Sequence, residues 1–302
     1  MMAELNKIRS LQEAVASVCD GMHIVLSGFT ISRNAIAVAH ELIRQQKKEL
    51  TFSACIGAMD VDLLVGAGAV KKLIYGGGSL DRFGRLQNIN RAIEQGAIEV
   101  DEFSGLSMAM RFLAGSLGIP YIPIQSLFGS DILKTLLEKQ APEVALSECP
   151  FTGEKVVLLK SLQPDYAFIH VAKADCEGNA LIHGPRWDED AAKAADHIVI
   201  VADEIISTEL TPQWVDQVII PACRVSMVVH QPYGAHPTSL YGVYDYDYDH
   251  LTEYVSSART PEGMQEYLKR YVFGVQDFYG YLELVGGFKK LNSIKADILK
   301  KY

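Results

Sequence analysis

Between residues 10 and 125, short apolar runs alternate with helix-patterned segments, and most of the junctions carry glycine. Ser10-Leu11-Gln12-Glu13 has capping-box spacing, and Leu11, Ala14, Val15 and Val18 recur at helical intervals until Asp20-Gly21. His23 to Leu26 predicts a strand. After the loop Ser27-Gly28-Phe29-Thr30, residues Ile36, Val38, Ala39, Leu42 and Ile43 predict a helix. The alternation continues with a strand over 50–56, a helix over 59–65 and a strand over 72–75 closed by Gly76-Gly77-Gly78-Ser79. A helix over 85–95, a strand over 98–103 and a helix over 106–117 follow, and Ile119 to Gln125, with two prolines, predicts an edge or irregular strand. Strands joined by helices return the chain to the same end of a sheet, so the fold class is α/β with an open, mostly parallel sheet flanked by helices. Its loops then gather on the edge where such sheets bind ligands.

Beyond Ser126 the pattern loosens. Strands are predicted over 156–159, 166–171, 180–183, 197–201 and 225–230, with only 188–195 clearly helical between them, which suggests a smaller mixed or antiparallel layer on the parallel sheet. From His250 onward the spacing is helical again, through Tyr267, Leu268, Tyr271 and Val272 to Leu284. No Pro-, Gly- or Ser-rich linker and no repeat divides the chain. The expected organisation is one domain over 1–302: a parallel core over about 1–125, a mixed layer with a pocket loop over about 126–249, and C-terminal helices over 250–302.

A formal charge of −9 argues against nucleic acid as a partner, so an anionic ligand must be held by local groups. Five cysteines without a C-x-x-C pair read as reduced thiols of a cytoplasmic protein. Residues 1–10 lack the apolar core of a signal peptide, and no run approaches the ~20 apolar residues of a membrane helix. Neither H-E-x-x-H nor a paired-cysteine metal site is present, and no permanently bound cofactor is expected.

Three turns and one loop are candidates for chemistry. Gly28 and Phe29 lie in a strand-to-helix turn whose N–H groups can face an anion, with Arg33 available for a forked contact; the alternative is a tight turn with Arg33 solvated. Gly76-Gly77-Gly78-Ser79 costs backbone entropy, which suits close approach of a ligand at Gly77, Gly78 and Ser79; the alternative is a flexible turn. It does not match the phosphate loop G-x-x-x-x-G-K-[ST]. Ser104-Gly105 places a hydroxyl before a helix, where an ordinary N-cap is an equal reading. The stretch from Gln231 to Asp247, QPYGAHPTSLYGVYDYD, follows no regular period, and its Tyr233 and His236 are assigned to pocket lining.

That stretch closely resembles one in the alpha-type subunits of glutaconate-type CoA-transferases, where a PYGAHP run leads into a YDYD run. The resemblance extends through Ser27-Gly28-Phe29-Thr30, Pro150-Phe151, Gly153-Glu154-Lys155-Val156 and Asp203-Glu204-Ile205-Ile206-Ser207. It implies a Rossmann-like CoA-transferase fold and movement of CoA between carboxylic acids such as glutaconate or related dicarboxylates, with acyl-CoA as substrate rather than cofactor. It also implies covalent catalysis through a glutamate that attacks the thioester. In the family that glutamate belongs to a beta-type partner, in a motif near Ser-Glu-Asn-Gly. This chain has Ser147-Glu148-Cys149-Pro150, in a predicted loop, and no catalytic residue is assigned to it. Its length also falls short of enzymes that fuse both halves. A serine similar to Ser104 is present in the glutaconate type, whereas the steroid ring-opening hydrolases of the same scaffold are expected to need a carboxylate there, though they share a run like Ser79-Leu80-Asp81. Such a hydrolase, a glutaconyl-type CoA decarboxylase, a non-enzymatic acyl-CoA-binding scaffold and a sugar-phosphate isomerase are the other readings.

Overall fold

The structure, a computed structural model, describes residues 6–184 and 186–296, so the reading of residues 1–10 and the end of the C-terminal helical segment fall partly outside it. In the first half, strands β1 (Ile8–Arg9), β2 (His23–Leu26), β3 (Leu50–Ala54), β4 (Val70–Tyr75) and β5 (Glu99–Glu102) alternate with helices. These are α1 (Leu11–Ala16), α2 (Ile36–Arg44), α3 (Met59–Gly66), α4 (Gln87–Glu94) and α5 (Gly105–Ser116). Next come β6 (Tyr121–Ile124), α6 (Asp131–Glu138), β7 (Val144–Glu148) and β8 (Lys155–Lys160). Strands β9 (Tyr166–Asp175), β10 (Ala180–Leu181), β11 (His197–Ile206), β12 (Val218–Ile220) and β13 (Val225–His230) follow, with α7 (Asp188–Ala194) between β10 and β11. The chain ends in α8 (Tyr248–Ser257), α9 (Pro261–Leu268), α10 (Phe278–Leu284) and α11 (Gly287–Ser293).

The central sheet runs β1-β13-β11-β9-β2-β3-β4-β5, and each neighbouring pair on this path is parallel. Strands β10 and β12 extend it antiparallel beyond the end of β9. A separate antiparallel sheet runs β6-β8-β7. The expected parallel α/β fold is therefore present, with one correction. Strands β9, β11 and β13 were expected in the mixed layer, yet they stand in the central sheet. The continuous apolar runs of β9 and β11, such as Ile198-Val199-Ile200-Val201-Ala202, are buried, and only a strand covered on both faces satisfies such a run; β13 joins as the parallel neighbour of β11. Two elements were not expected: Ser147 and Glu148 lie in β7 rather than a loop, and α6 forms with Ser130 as N-cap and Leu133 and Leu136 buried.

Alternate residues of each central strand enter opposite cores. Leu26, Phe52, Leu73, Phe168 and Val199 pack against α1 to α4 and the C-terminal helices, while Val25, Ile74, Ala167, Ile169 and Ile198 pack against α5 to α7 and the small sheet. From β2 the chain builds outward through β3, β4 and β5, then returns to place β9 on the other side of β2. The order thus reverses between β2 and β9, the position where open α/β sheets usually hold ligands.

Candidate functional site

At the reversal between β2 and β9, protein groups occupy the crevice. Ser27 donates its N–H to the Phe168 carbonyl (3.0 Å), and its hydroxyl bridges the Arg33 carbonyl (2.9 Å) and the His170 N–H (2.8 Å). Gly28, at φ 130°, sits where a Cβ would overlap Asn34, and so the turn requires glycine. Its N–H donates to Asp188 Oδ2 (3.2 Å), and the Trp187 indole donates to its carbonyl (2.5 Å). Arg33 is buried, ion-paired to Asp188 (2.8 Å) and bonded to the His170 carbonyl (3.1 Å). The expected ligand contacts of the Gly28 N–H and the Arg33 guanidinium are corrected here: both serve Asp188. Phe29 remains 39% exposed at the tip of a turn closed by paired bonds with Ser32.

The first half of the tyrosine-rich stretch covers the same crevice. Arg33 donates its N–H to the Ser239 carbonyl, Ser239 to that of Ile31, and Ala37 to that of Gly234, while Gly234 leaves no room for a Cβ above the His170 ring. Tyr233 is half-buried, donates its N–H to Asp203 (2.7 Å) and stacks on Tyr244 with ring centroids 4.7 Å apart. His236 is not pocket lining. It is fully buried, with Nδ1 2.8 Å from the Tyr281 hydroxyl and Nε2 3.2 Å from Asp247, inside the seam between this loop and the C-terminal helices. Burial pushes its imidazole below the ordinary value, against the pull of Asp247. Aperiodic spacing shows that a loop exists but not which way its side chains face, which is why pocket lining was expected of this histidine.

One sheet position away, the turns after β3, β4 and β5 converge and stay open. Gly57 donates to the Gly77 carbonyl (2.8 Å), and Ser79 returns a bond to the Gly57 carbonyl (3.1 Å). A Cβ at Gly76 would lie 2.5 Å from the Cys55 carbonyl and 2.7 Å from the Gly105 backbone, so the Gly76–Ser79 turn and the Ser104–Gly105 turn touch through glycine. Gly77, at φ 104°, faces open space. The structure thus brings together Gly77, Gly78, Ser79, Ser104 and Gly105 at the carboxyl edge, apart from Arg33 and His236. Ser104 is also the N-cap of α5, accepting from the Ser107 N–H (3.1 Å) with the two hydroxyls 2.7 Å apart. When Ser107 supplies the shared hydrogen, the Ser104 O–H is left to donate outward. Ser79 Oγ accepts from the Asp81 N–H (2.8 Å), which leaves its own hydrogen to donate.

Asp60, two residues into α3, was not among the expected site residues; it is buried, and burial pushes its carboxyl up to about 7. Two aspartates in the first turn of an otherwise apolar helix were the available signal. Asp62 is accounted for structurally, since it accepts from the Tyr254 hydroxyl, Asn88 and the Ile89 N–H. Among the described residues no His, Cys, Asp and Glu cluster is suited to a metal ion, and no helix is long and apolar enough to cross a membrane.

A parallel sheet that reverses beside β2, with glycine turns at its carboxyl edge and a small antiparallel sheet on one side, defines an α/β protein of the CoA-transferase fold. Residues 8–231 match the Coenzyme A transferase family, and the chain belongs to it, among the alpha-type subunits. It is 34% identical to the alpha-type subunit of the 3-oxoadipate CoA-transferase of Pseudomonas knackmussii, over 92% of this chain and 96% of that one. To the alpha-type subunit of the glutaconate CoA-transferase of Acidaminococcus fermentans it is 33% identical, over 95% and 94%. The crystal structure of glutaconate coenzyme A-transferase from A. fermentans superposes with a TM-score of 0.91 at 31% identity, covering 97% of this chain and 96% of that one. A cholesterol ring-cleaving hydrolase subunit of Rhodococcus jostii is 28% identical over 92% and 96%. The chain spans 64% of the length of a 35% identical protein of Archaeoglobus fulgidus, which covers 96% of this chain.

Proposed function

We propose that this chain is the alpha-type half of a cytoplasmic, two-subunit enzyme that moves CoA between carboxylic acids, with a glutaconate-like dicarboxylate as acyl group. The observation that carries the reading is full-length similarity to the alpha-type subunits of two CoA-transferases, joined to an open carboxyl edge built from glycine turns and two serine hydroxyls. A beta-type partner supplies the attacking glutamate. CoA esters are substrates, and no resident cofactor takes part.

This chain's task is then positioning and charge stabilisation. Gly77, Gly78 and Gly105 let the acyl thioester approach the backbone, while Ser79 and Ser104 donate to an acyl oxygen as negative charge develops on it. Phe29 and Tyr233 line the neighbouring wall on the β2 side. When the partner's carboxylate adds to the thioester carbonyl, the C–S bond breaks to give a mixed anhydride and CoA thiolate. The thiolate then attacks the glutamyl carbonyl and releases the first acid.

The test is co-expression with the product of the adjacent gene, followed by assay of CoA exchange between acetyl-CoA and dicarboxylic acids. No exchange, with a Ser-Glu-Asn-Gly-type glutamate present in the partner, overturns the transferase reading. Exchange by this chain alone overturns the division of labour. A hydrolase is the second reading, favoured by the 28% identity to the ring-cleaving enzyme and by Ser79-Leu80-Asp81, and loss of thioester without acceptor marks that outcome.

A further inference from the structure

The turn that follows Ser79 is built more rigidly than an exposed connection needs. Leu80 and Leu86, at its two ends, are 1% and 3% exposed. Between them Leu80 donates to the Gly84 carbonyl, Phe83 to that of Leu80 and Gly84 to that of Asp81, so the turn satisfies its own backbone. Asp81 is held at φ 54°, a left-handed conformation that costs energy for a residue with a side chain. Phe83 is gripped by Tyr246 and Tyr248, with ring centroids at 5.7 and 5.3 Å. The result is an anchored platform from which Arg82 and Arg85 project into solvent.

These two arginines are exposed cations in a chain of net charge −9. Among the described residues neither forms an ion pair, although Arg33, Arg44 and Arg270 each have a carboxylate partner. Arg82 makes one side-chain bond, from Nη1 to the Tyr246 hydroxyl (2.9 Å). That bond orients the guanidinium, and its other donors have no protein partner among the described residues. Tyr246 belongs to the second, outward half of the tyrosine-rich stretch, so the bond also ties that loop to the open edge. Two exposed guanidinium groups on a fixed platform, three and six residues past a site hydroxyl and without an ion pair among the described residues, are placed to form a binding rim.

We propose that Arg82, oriented by Tyr246, and Arg85 form the anion-receiving rim of the acyl-CoA site, taking an oxyanion of the substrate through charge-assisted hydrogen bonds. The inference rests on the CoA-transferase reading. A guanidinium fork matches the oxygens of either a carboxylate or a phosphate, so the group taken is the distal carboxylate of a dicarboxylic acyl chain or a phosphate of the coenzyme. No covalent step involves either arginine.

The test uses the complex with the beta-type partner and compares wild type with Arg82→Gln/Arg85→Gln, Arg82→Lys and Tyr246→Phe. Acetyl-CoA serves as donor, glutarate or butyrate as acceptor, and an acetyl thioester of N-acetylcysteamine as a donor lacking phosphates. Loss of charge-assisted bonds is expected to raise KM for the bound anion by about 10- to 100-fold. If the carboxylate is taken, KM rises for glutarate and stays the same for butyrate. If a phosphate is taken, KM rises for acetyl-CoA and stays the same for the N-acetylcysteamine thioester. Arg82→Lys restores part of the loss, and Tyr246→Phe shows a smaller rise for the same ligand. KM values for glutarate, butyrate and acetyl-CoA all within about twofold of wild type, in a complex that still exchanges CoA, overturn the proposal while leaving the transferase reading intact. Should the wild-type complex exchange nothing, titration calorimetry with CoA and glutarate decides: a Kd raised at least tenfold in the double variant upholds the rim, and equal Kd values overturn it.

Discussion

The turn after β2 and the turn after β4 start from the same local grammar and end with opposite roles. Each follows a parallel strand, holds a glycine at positive φ and precedes a helical segment. Around Gly28 the protein fills the crevice with Asp188, Trp187, Arg33 and the first half of the tyrosine-rich stretch. Around Gly77 it leaves open space, with Ser79 two residues on and the Gly105 backbone against the adjacent Gly76. A sheet reversal therefore locates a ligand edge only when no later segment returns to cover it. Here residues 187–188 and 231–240 return to cover the β2 side, and nothing among the described residues covers the β4 side in the same way.

The contrast is broken most strongly at Asp188. Asp188→Ala leaves Arg33 charged and buried without its partner, which is expected to destabilise the fold by about 3–5 kcal/mol in urea unfolding. An unchanged midpoint would show that the closed crevice contributes little to stability. Next in size are the close-approach glycines. Gly28→Ala and Gly76→Ala each force a Cβ onto neighbouring atoms and are expected to cost about 1–3 kcal/mol, and Gly76→Ala also displaces the Ser104–Gly105 turn. The difference lies in activity: a refolded Gly76→Ala complex loses kcat, whereas Gly28→Ala loses stability first.

Acid sharpens the contrast further. Burial holds the His236 and His40 imidazoles below their ordinary value and pushes His250 down to about 3, so all three stay neutral in the fold and protonate on unfolding. The unfolded chain binds the extra protons, and stability is full above about pH 6.5 and falls as pH drops through that value toward the folded pKa values. The slope is expected to reach about 1.4 kcal/mol per pH unit for each histidine kept neutral, read as Tm between pH 7 and 5. Below about pH 4 a second loss begins, because hydrogen bonds from His236 and Lys290 hold Asp247 well below the usual carboxylate range, although burial opposes them. A flat Tm between pH 7 and 5 would contradict the burial of these rings. The smallest expected effect is Ser104→Ala, about 1 kcal/mol for a lost N-cap. A fall in kcat of tenfold or more beyond that loss would place Ser104 against the acyl group, and an unchanged kcat would leave it a cap only.

Much of the fold was legible because it rests on local periodicity. The capping box at Ser10 is present with both of its bonds, and the strands and helices to residue 117 lie close to where spacing put them. Strands β9, β11 and β13 were legible as strands but not as members of the central sheet, since an apolar run has no direction and does not name its neighbour. Helix α6 carries a readable cap at Ser130 and apolar spacing at Leu133 and Leu136, and it still lay outside the expected elements. Within the site, the glycine runs were visible because unusual backbone needs glycine, while the burial of Arg33 and His236 was not. Asp188 lies 155 residues from Arg33 and Asp247 lies 11 from His236, and only the first pair spans the sheet.

By itself the sequence determined the class of fold, the carboxyl edge with its glycine turns, and the family, because period, turn chemistry and long aperiodic identities are properties of neighbouring residues. Tertiary structure alone decided which of two similar turns stays open, which charged side chains are consumed internally, and that Arg82 and Arg85 are exposed and form no ion pair among the described residues. Those outcomes depend on which distant segment arrives to fill a crevice, and the burial and pairing of a charge exist only once that segment is in place.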